Sequence, residues 1–171
     1  MSIFLVGMPG AGKTYFGKRL SEYLNVKFMD TDEIIQEKYG ETVQEIFSKN
    51  GEKYFRKIES ETLNYCLSLK EEIVCSTGGG IVESAENRRK LKIVKTIYIK
   101  KSIEELKKRL ERDMRDRPLF GEDRIKKLEI LFERRRKLYE EFIPVEVPSG
   151  EISDAVIKVI MNEINNEKSK I

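Results

Sequence analysis

The sequence predicts an α/β fold, one domain over residues 1–171 built on a five-stranded parallel sheet flanked by helices. Three observations lead there. Short apolar runs alternate with amphipathic stretches along the whole chain, the pattern of strands joined by crossover helices. A glycine-rich loop joins the first apolar run to the first amphipathic stretch. With 39% hydrophobic and 37% charged residues in 171, the chain suits one packed core under a charged surface.

The elements follow in order. IFLV (3–6) reads as a short buried strand that runs into GMPGAGKT, and YFGKRLSEYL has helical spacing. KFM (27–29) is the second strand, ending at Asp30-Thr31-Asp32, where Asp32 is a reasonable helix N-cap. EIIQEKYG follows as a helix with Gly40 as its C-cap. Thr42 and Glu45 form a capping box opening VQEIFSK, Asn50-Gly51 punctuates, and EKYFRKIESETLNYCLSL continues as a longer helix. EIVCS is the third strand and meets three glycines, Gly78, Gly79 and Gly80. VKTIYIK (94–100) is the fourth strand, and Ser102 with Glu105 caps IEELKKRLERD. RDMRDRPLFGED (112–123) reads as a mobile surface loop between two strongly helical stretches, part of a lid over about 110–123. PVEV (144–147) is a short fifth strand, a helix starts near Ser153, and NNEKSKI (165–171) is expected as an unstructured tail. In such a sheet, ligands gather at the carboxyl ends of the strands.

Composition narrows the chemistry. The chain has no histidine, which excludes an imidazole base, a serine–histidine triad and a histidine-ligated metal. Acid–base work falls to carboxylates, lysine or water. Cys66 and Cys75 sit in apolar segments and read as reduced core thiols. No apolar run approaches the roughly 20 residues that cross a bilayer, and no basic region precedes the first apolar run, so a cytoplasmic protein without membrane partners is expected. The net charge of +3 is too small to demand nucleic acid, and the basic residues are interspersed with acidic ones.

Gly7 to Thr14 satisfies the G-x-x-x-x-G-K-[ST] pattern between a predicted strand and a predicted helix, the context of a phosphate-binding P-loop. Glycines at 7, 10 and 12 let the backbone wrap close to phosphate oxygens, so that Gly10, Ala11, Gly12 and the helix start at Thr14 and Tyr15 present N–H groups to ATP. Lys13 adds charge toward the β- and γ-phosphates, and the Thr14 hydroxyl is a Mg²⁺ ligand. The third strand ends CSTGGG without a carboxylate, whereas Asp30 and Asp32 close the second. Their i, i+2 spacing lets one serve the metal and the other accept a hydroxyl proton. The second glycine run lacks the Lys-Thr pair, so it is expected to seat the acceptor, with Gly79 as the nearest contact, the alternative being a purely structural tight turn.

The P-loop, DTD (30–32), FRKIE (55–59), GGG (78–80), RPLF (117–120) and ERRRKLY (133–139) stand in an order and spacing that resembles the shikimate kinases, to about residue 150. The resemblance implies a P-loop kinase with a mobile lid that moves a phosphoryl group from ATP to the 3-hydroxyl of shikimate. It implies Asp32 as shikimate ligand and base, and Asp30 with Thr14 at the Mg²⁺ site. Over substrate-binding helices spanning about 32–60, it implies Arg56 on the substrate carboxylate, with Glu59 one turn on. Phe47 and Phe55 would line the ring pocket. Arg135, four residues before Tyr139, is the second substrate arginine, and Arg117 is the lid arginine at the transferring phosphoryl group. Phe120 replaces the usual leucine. RLERDMRD is one residue longer than the common pattern, leaving Arg109 and Arg112 open for adenine, with Arg112 taken as the nucleotide contact. A monomer is expected. The alternatives are a gluconate or nucleoside monophosphate kinase and, more remotely, a nucleotide switch or nucleic-acid binder.

Overall fold

The computed structural model describes residues 2–115, 121–147 and 153–168. Its sheet has five strands in the order β2-β3-β1-β4-β5, every pairing parallel, with β1 (Ile3–Val6), β2 (Lys27–Asp30), β3 (Ile73–Ser76), β4 (Lys95–Lys100) and β5 (Ile143–Glu146). The two innermost four-residue strands, β1 and β3, are buried along their whole length, as runs of Ile, Val, Leu and Phe must be when helices cover both faces. Pro144 is tolerated in β5 because that strand pairs on one side only.

Among the described residues, seven α-helices connect and cover these strands: α1 (Lys13–Leu24), α2 (Thr31–Tyr39), α3 (Val43–Ser68), α4 (Ala85–Ile93), α5 (Ile103–Arg115), α6 (Gly121–Tyr139) and α7 (Ser153–Lys168). The capping box of Thr42 and Glu45 forms as expected, and Gly40 ends α2 at φ 67°. Gly51 interrupts α3 at φ 80°, ψ 171°, so the Asn50-Gly51 break becomes a kink rather than a loop. Packed beside the main core, Ile35, Ile46, Phe55 and Ile58 make a smaller one that joins α2 to α3.

Four expectations change. The cap of α2 is Asp30, whose side chain accepts from the Asp32 amide, so the Asp32 carboxylate is left for other work. Residues 85–93 form α4, and α5 runs on to Arg115 while α6 begins at Gly121, which narrows the anticipated 112–123 loop. Long straight-chain charged residues are good helix formers, and they carry both ends. Residues 165–168 continue α7, because Ile157, Ile160 and Ile164 recur on one buried face. The rest of the lid, with Arg117 and Phe120, and the last three residues of the tail lie outside the described residues.

Strand register sets the site. Asp30 and Leu5 both pair with Ser76, so β1, β2 and β3 reach their carboxyl ends at one level. The order reverses beside β1, which puts the glycine loop at a switch point, where α/β sheets open a crevice.

Candidate active site

The glycine loop leaves β1 with Gly10 at φ 80° and Gly12 at φ 97°, the left-handed backbone that only glycine adopts freely. Lys13, 8% exposed, closes the loop on itself by donating to the carbonyls of Gly7 (2.8 Å) and Met8 (3.0 Å). Burial pulls its ammonium from 10.5 down to about 8, although the charges of Asp32 and Asp30 oppose this. Phosphate binding requires the charged form. ATP affinity is therefore expected to weaken as pH rises through 8, approaching tenfold per pH unit. Calorimetric titration with ATP between pH 7 and 9.5 checks this, and a flat profile would remove Lys13 as the titrating group.

Facing the loop, β2 delivers the two aspartates to different partners. The Thr14 hydroxyl donates to Asp30 Oδ2 at 2.9 Å, while Asp30 Oδ1 accepts from the Asp32 amide at 2.9 Å. Asp32 Oδ1 is buried and has no hydrogen-bond partner. Burial, reinforced by the negative charge of Asp30, lifts the Asp32 carboxyl from 3.8 to about 6 against the pull of Lys13 and Arg56.

The glycine run after β3 completes the wall. Thr77 donates to the Leu5 carbonyl through both its amide (3.1 Å) and its hydroxyl (2.9 Å), and the Gly78 amide donates to Thr31 Oγ1 at 2.9 Å. None of the three glycines has a positive φ, so space rather than backbone freedom demands them. A Cβ on Gly78 would stand 2.7 Å from Asp32 Oδ1 and 2.9 Å from Glu59 Oε1. On Gly80 it would stand 2.1 Å from Arg56 Nη1. On Gly79 it would meet Pro9 of the first loop at 2.7 Å, and the Gly79 carbonyl accepts the Tyr139 hydroxyl. Gly79 thus joins the two loops, whereas Gly78 and Gly80 border the carboxylates and the guanidinium.

From α3, Arg56 Nη1 donates to Glu59 Oε2 at 2.8 Å. Glu59 is 1% exposed, its Oε1 has no partner, and burial raises its carboxyl from 4.5 to about 7 despite Arg56. Phe55 belongs to the small α2–α3 core, yet its ring centroid lies 5.4 Å from the Arg56 guanidinium, and Phe47, 37% exposed, has its ring 5.8 Å from that of Phe55. From α6, Arg135 is 5% exposed and is held by Glu83, while the side chains of Arg134 and Arg136 are about half exposed. That burial selects Arg135 within the run of three.

Glu83 is the residue that the sequence concealed. It ends a 3-10 turn, Ile81–Glu83, directly after the glycines, where nothing in a lone glutamate signals a role. Near the donor loop, a Cβ on Gly12 would meet the Phe16 ring at 3.1 Å and Arg109 Nη1 at 3.6 Å. Arg109 and Arg112 are both exposed, so it is this approach, and not burial, that sets Arg109 against the P-loop. Among the described residues, no helix is long and apolar enough to cross a membrane, and no three acidic or cysteine side chains cluster as a metal cage.

Comparison with known proteins matches this geometry. A family model described as shikimate kinase matches residues 9–165. A shikimate kinase of Dictyoglomus turgidum is 42% identical over 164 residues, which cover 93% of this chain and 95% of that protein. The solved structure of a shikimate kinase from Acinetobacter baumannii in complex with shikimate superposes with a TM-score of 0.82 at 35% identity, over 96% of this chain and 93% of that one. A gluconokinase from Sinorhizobium meliloti reaches a TM-score of 0.60 at 15% identity over 99% of this chain and 94% of that one, a likeness of fold alone. A glycine loop, two aspartates, a glycine run and a pair of buried-side arginines converge on one crevice in a chain so matched, and the chain belongs to the shikimate kinase family.

Proposed function

We infer that the protein transfers the γ-phosphoryl group of ATP to the 3-hydroxyl of shikimate, giving shikimate 3-phosphate and ADP. The observation that carries this is the meeting, at one level of the sheet, of a P-loop, an unpartnered buried carboxylate at Asp32 and two arginines suited to a carboxylate, in a member of this family. The gluconate and nucleoside monophosphate alternatives would also offer these arginines a carboxylate or a phosphate, so what favours shikimate over them is the family match.

In the proposed mechanism Arg56 and Arg135 bind the acceptor's carboxylate, since guanidinium forks match a carboxylate with two parallel hydrogen bonds. Asp32 Oδ1 accepts the proton of the 3-hydroxyl as that oxygen bonds to the γ-phosphorus and the β–γ bridging bond breaks toward ADP. Glu59, bonded to Arg56 through one oxygen, offers the other to an acceptor hydroxyl. Gly10, Ala11, Gly12, Lys13, Thr14 and Tyr15 hold the triphosphate, Arg109 or Arg112 borders the base, and Arg117 adds charge from the lid.

Mg²⁺ fits this donor set. It prefers hard oxygen ligands and is usually held by one or two protein groups beside substrate phosphates, and Thr14 Oγ1 and Asp30 Oδ2 stand together at 2.9 Å. When bound, the ion neutralises charge on the phosphates. The rest is positioning by this chain's own groups.

The test is ADP release measured against shikimate, gluconate and a set of nucleoside monophosphates. Turnover is expected with shikimate alone. Preference for any other acceptor would overturn the assignment.

A further inference from the structure

Glu83 meets more positive charge than any catalytic requirement on it would suggest. Arg135 approaches its Oε1 through Nε at 2.6 Å and Nη2 at 2.5 Å, Arg134 bonds its Oε2, and Arg56 Nη2 lies 3.9 Å from Oε1. Burial works against the charged carboxylate, yet Arg135 and Arg134 outweigh it and hold the group below the ordinary glutamate range. The turn that carries Glu83 is itself pinned. Arg88 of α4 donates to the Val82 carbonyl at 2.6 Å and is anchored by Glu141 at 3.1 Å, and Asn87 bonds Ser60 of α3 at 3.0 Å.

Arg56 and Arg135 stand on different helices, α3 and α6, and no direct contact fixes the spacing between two like charges. A carboxylate ligand needs that spacing fixed, because a bidentate pair tolerates little misplacement. Glu83 supplies it. Its Oε1 faces both guanidiniums, and it engages Arg135 along the Nε–Nη2 edge, which leaves the Nη1 end of the fork pointing elsewhere.

We propose that Glu83 is a positioning residue that sets Arg135 and Arg56 at the separation required by the acceptor's carboxylate. This rests on the shikimate reading of the site. Glu83 does not touch the reacting atoms, so its loss shows in acceptor affinity rather than in the chemical step.

The experiment compares Glu83→Ala and Glu83→Gln in the full chain. Glu83→Ala is expected to raise KM for shikimate at least tenfold, with kcat within about twofold and ATP affinity unchanged. Glu83→Gln keeps an acceptor oxygen and is expected to recover most of the affinity, which also keeps the test open should the alanine variant fold poorly. A shikimate analogue with the carboxylate reduced to an alcohol is expected to bind both variants as it binds the parent. Adding Glu83→Ala to Arg135→Ala should cost less than it does in the parent, because only its hold on Arg56 is then left to lose. An unchanged KM, a lower KM, as for a carboxylate that competes with substrate, or an equal loss for the analogue would each overturn the proposal. Absence of shikimate turnover in the parent protein would instead overturn the functional reading, whatever the variants do.

Discussion

Asp32→Asn is expected to lower kcat by about a thousandfold, within the 10²–10⁴ range for a lost general base, while ATP binds within about twofold of the parent. Asparagine keeps the size of the side chain and removes only its ability to take a proton. The Asp32 amide bond to Asp30 is a backbone contact and survives the change. The parent adds a second signature. With the Asp32 carboxyl pushed up to about 6, the base is increasingly protonated below that pH, so kcat/KM for shikimate falls on the acid side with a midpoint near 6. An aspartate of ordinary acidity would keep its activity to about pH 4. Steady-state rates from pH 5 to 8 measure the limb, and a midpoint near 4, or an active Asp32→Asn enzyme, would remove Asp32 as the base.

Alanine in the second glycine run gives the next largest effect, and it differs at each position. Gly78→Ala drives a methyl against Asp32 Oδ1 and Glu59 Oε1, the two buried oxygens without partners. Displacing both by about an ångström is expected to cost at least 100-fold in kcat/KM for shikimate with ATP affinity nearly intact. Gly80→Ala meets the Arg56 guanidinium and is expected to act mainly on KM. Gly79→Ala meets the Pro9 ring, which is part of the donor loop, so it is expected to weaken ATP and shikimate together. Kinetics of the three variants, with ATP affinity from direct titration, separate these outcomes. Similar losses in all three would mean that the run is only a tight turn.

Much of this was legible in the residues. The strands fall within one residue of their apolar runs, since a buried parallel strand leaves an uninterrupted hydrophobic stretch. Helix α4 was not legible, because ENRRKLKI carries four basic residues and buries only Asn87 and Leu91, too little to set up a periodic face. Glu83, Arg109 and the choice of Arg135 depend on which groups meet across the crevice, and a sequence records no such distances. The cap at Asp30 was hidden for a related reason. Either aspartate of DTD can cap a helix, and only the backbone angles of Asp30, φ −131° and ψ 124°, decide between them.

The shifted acidities of Asp32, Glu59 and Lys13 have a practical consequence in a chain without histidine. Side chains of ordinary acidity carry a fixed charge between pH 6 and 8, histidine being the usual exception. Proton exchange with solvent in that window therefore comes largely from the crevice itself. Heats of ligand binding measured in buffers of different ionisation enthalpy would count those protons directly.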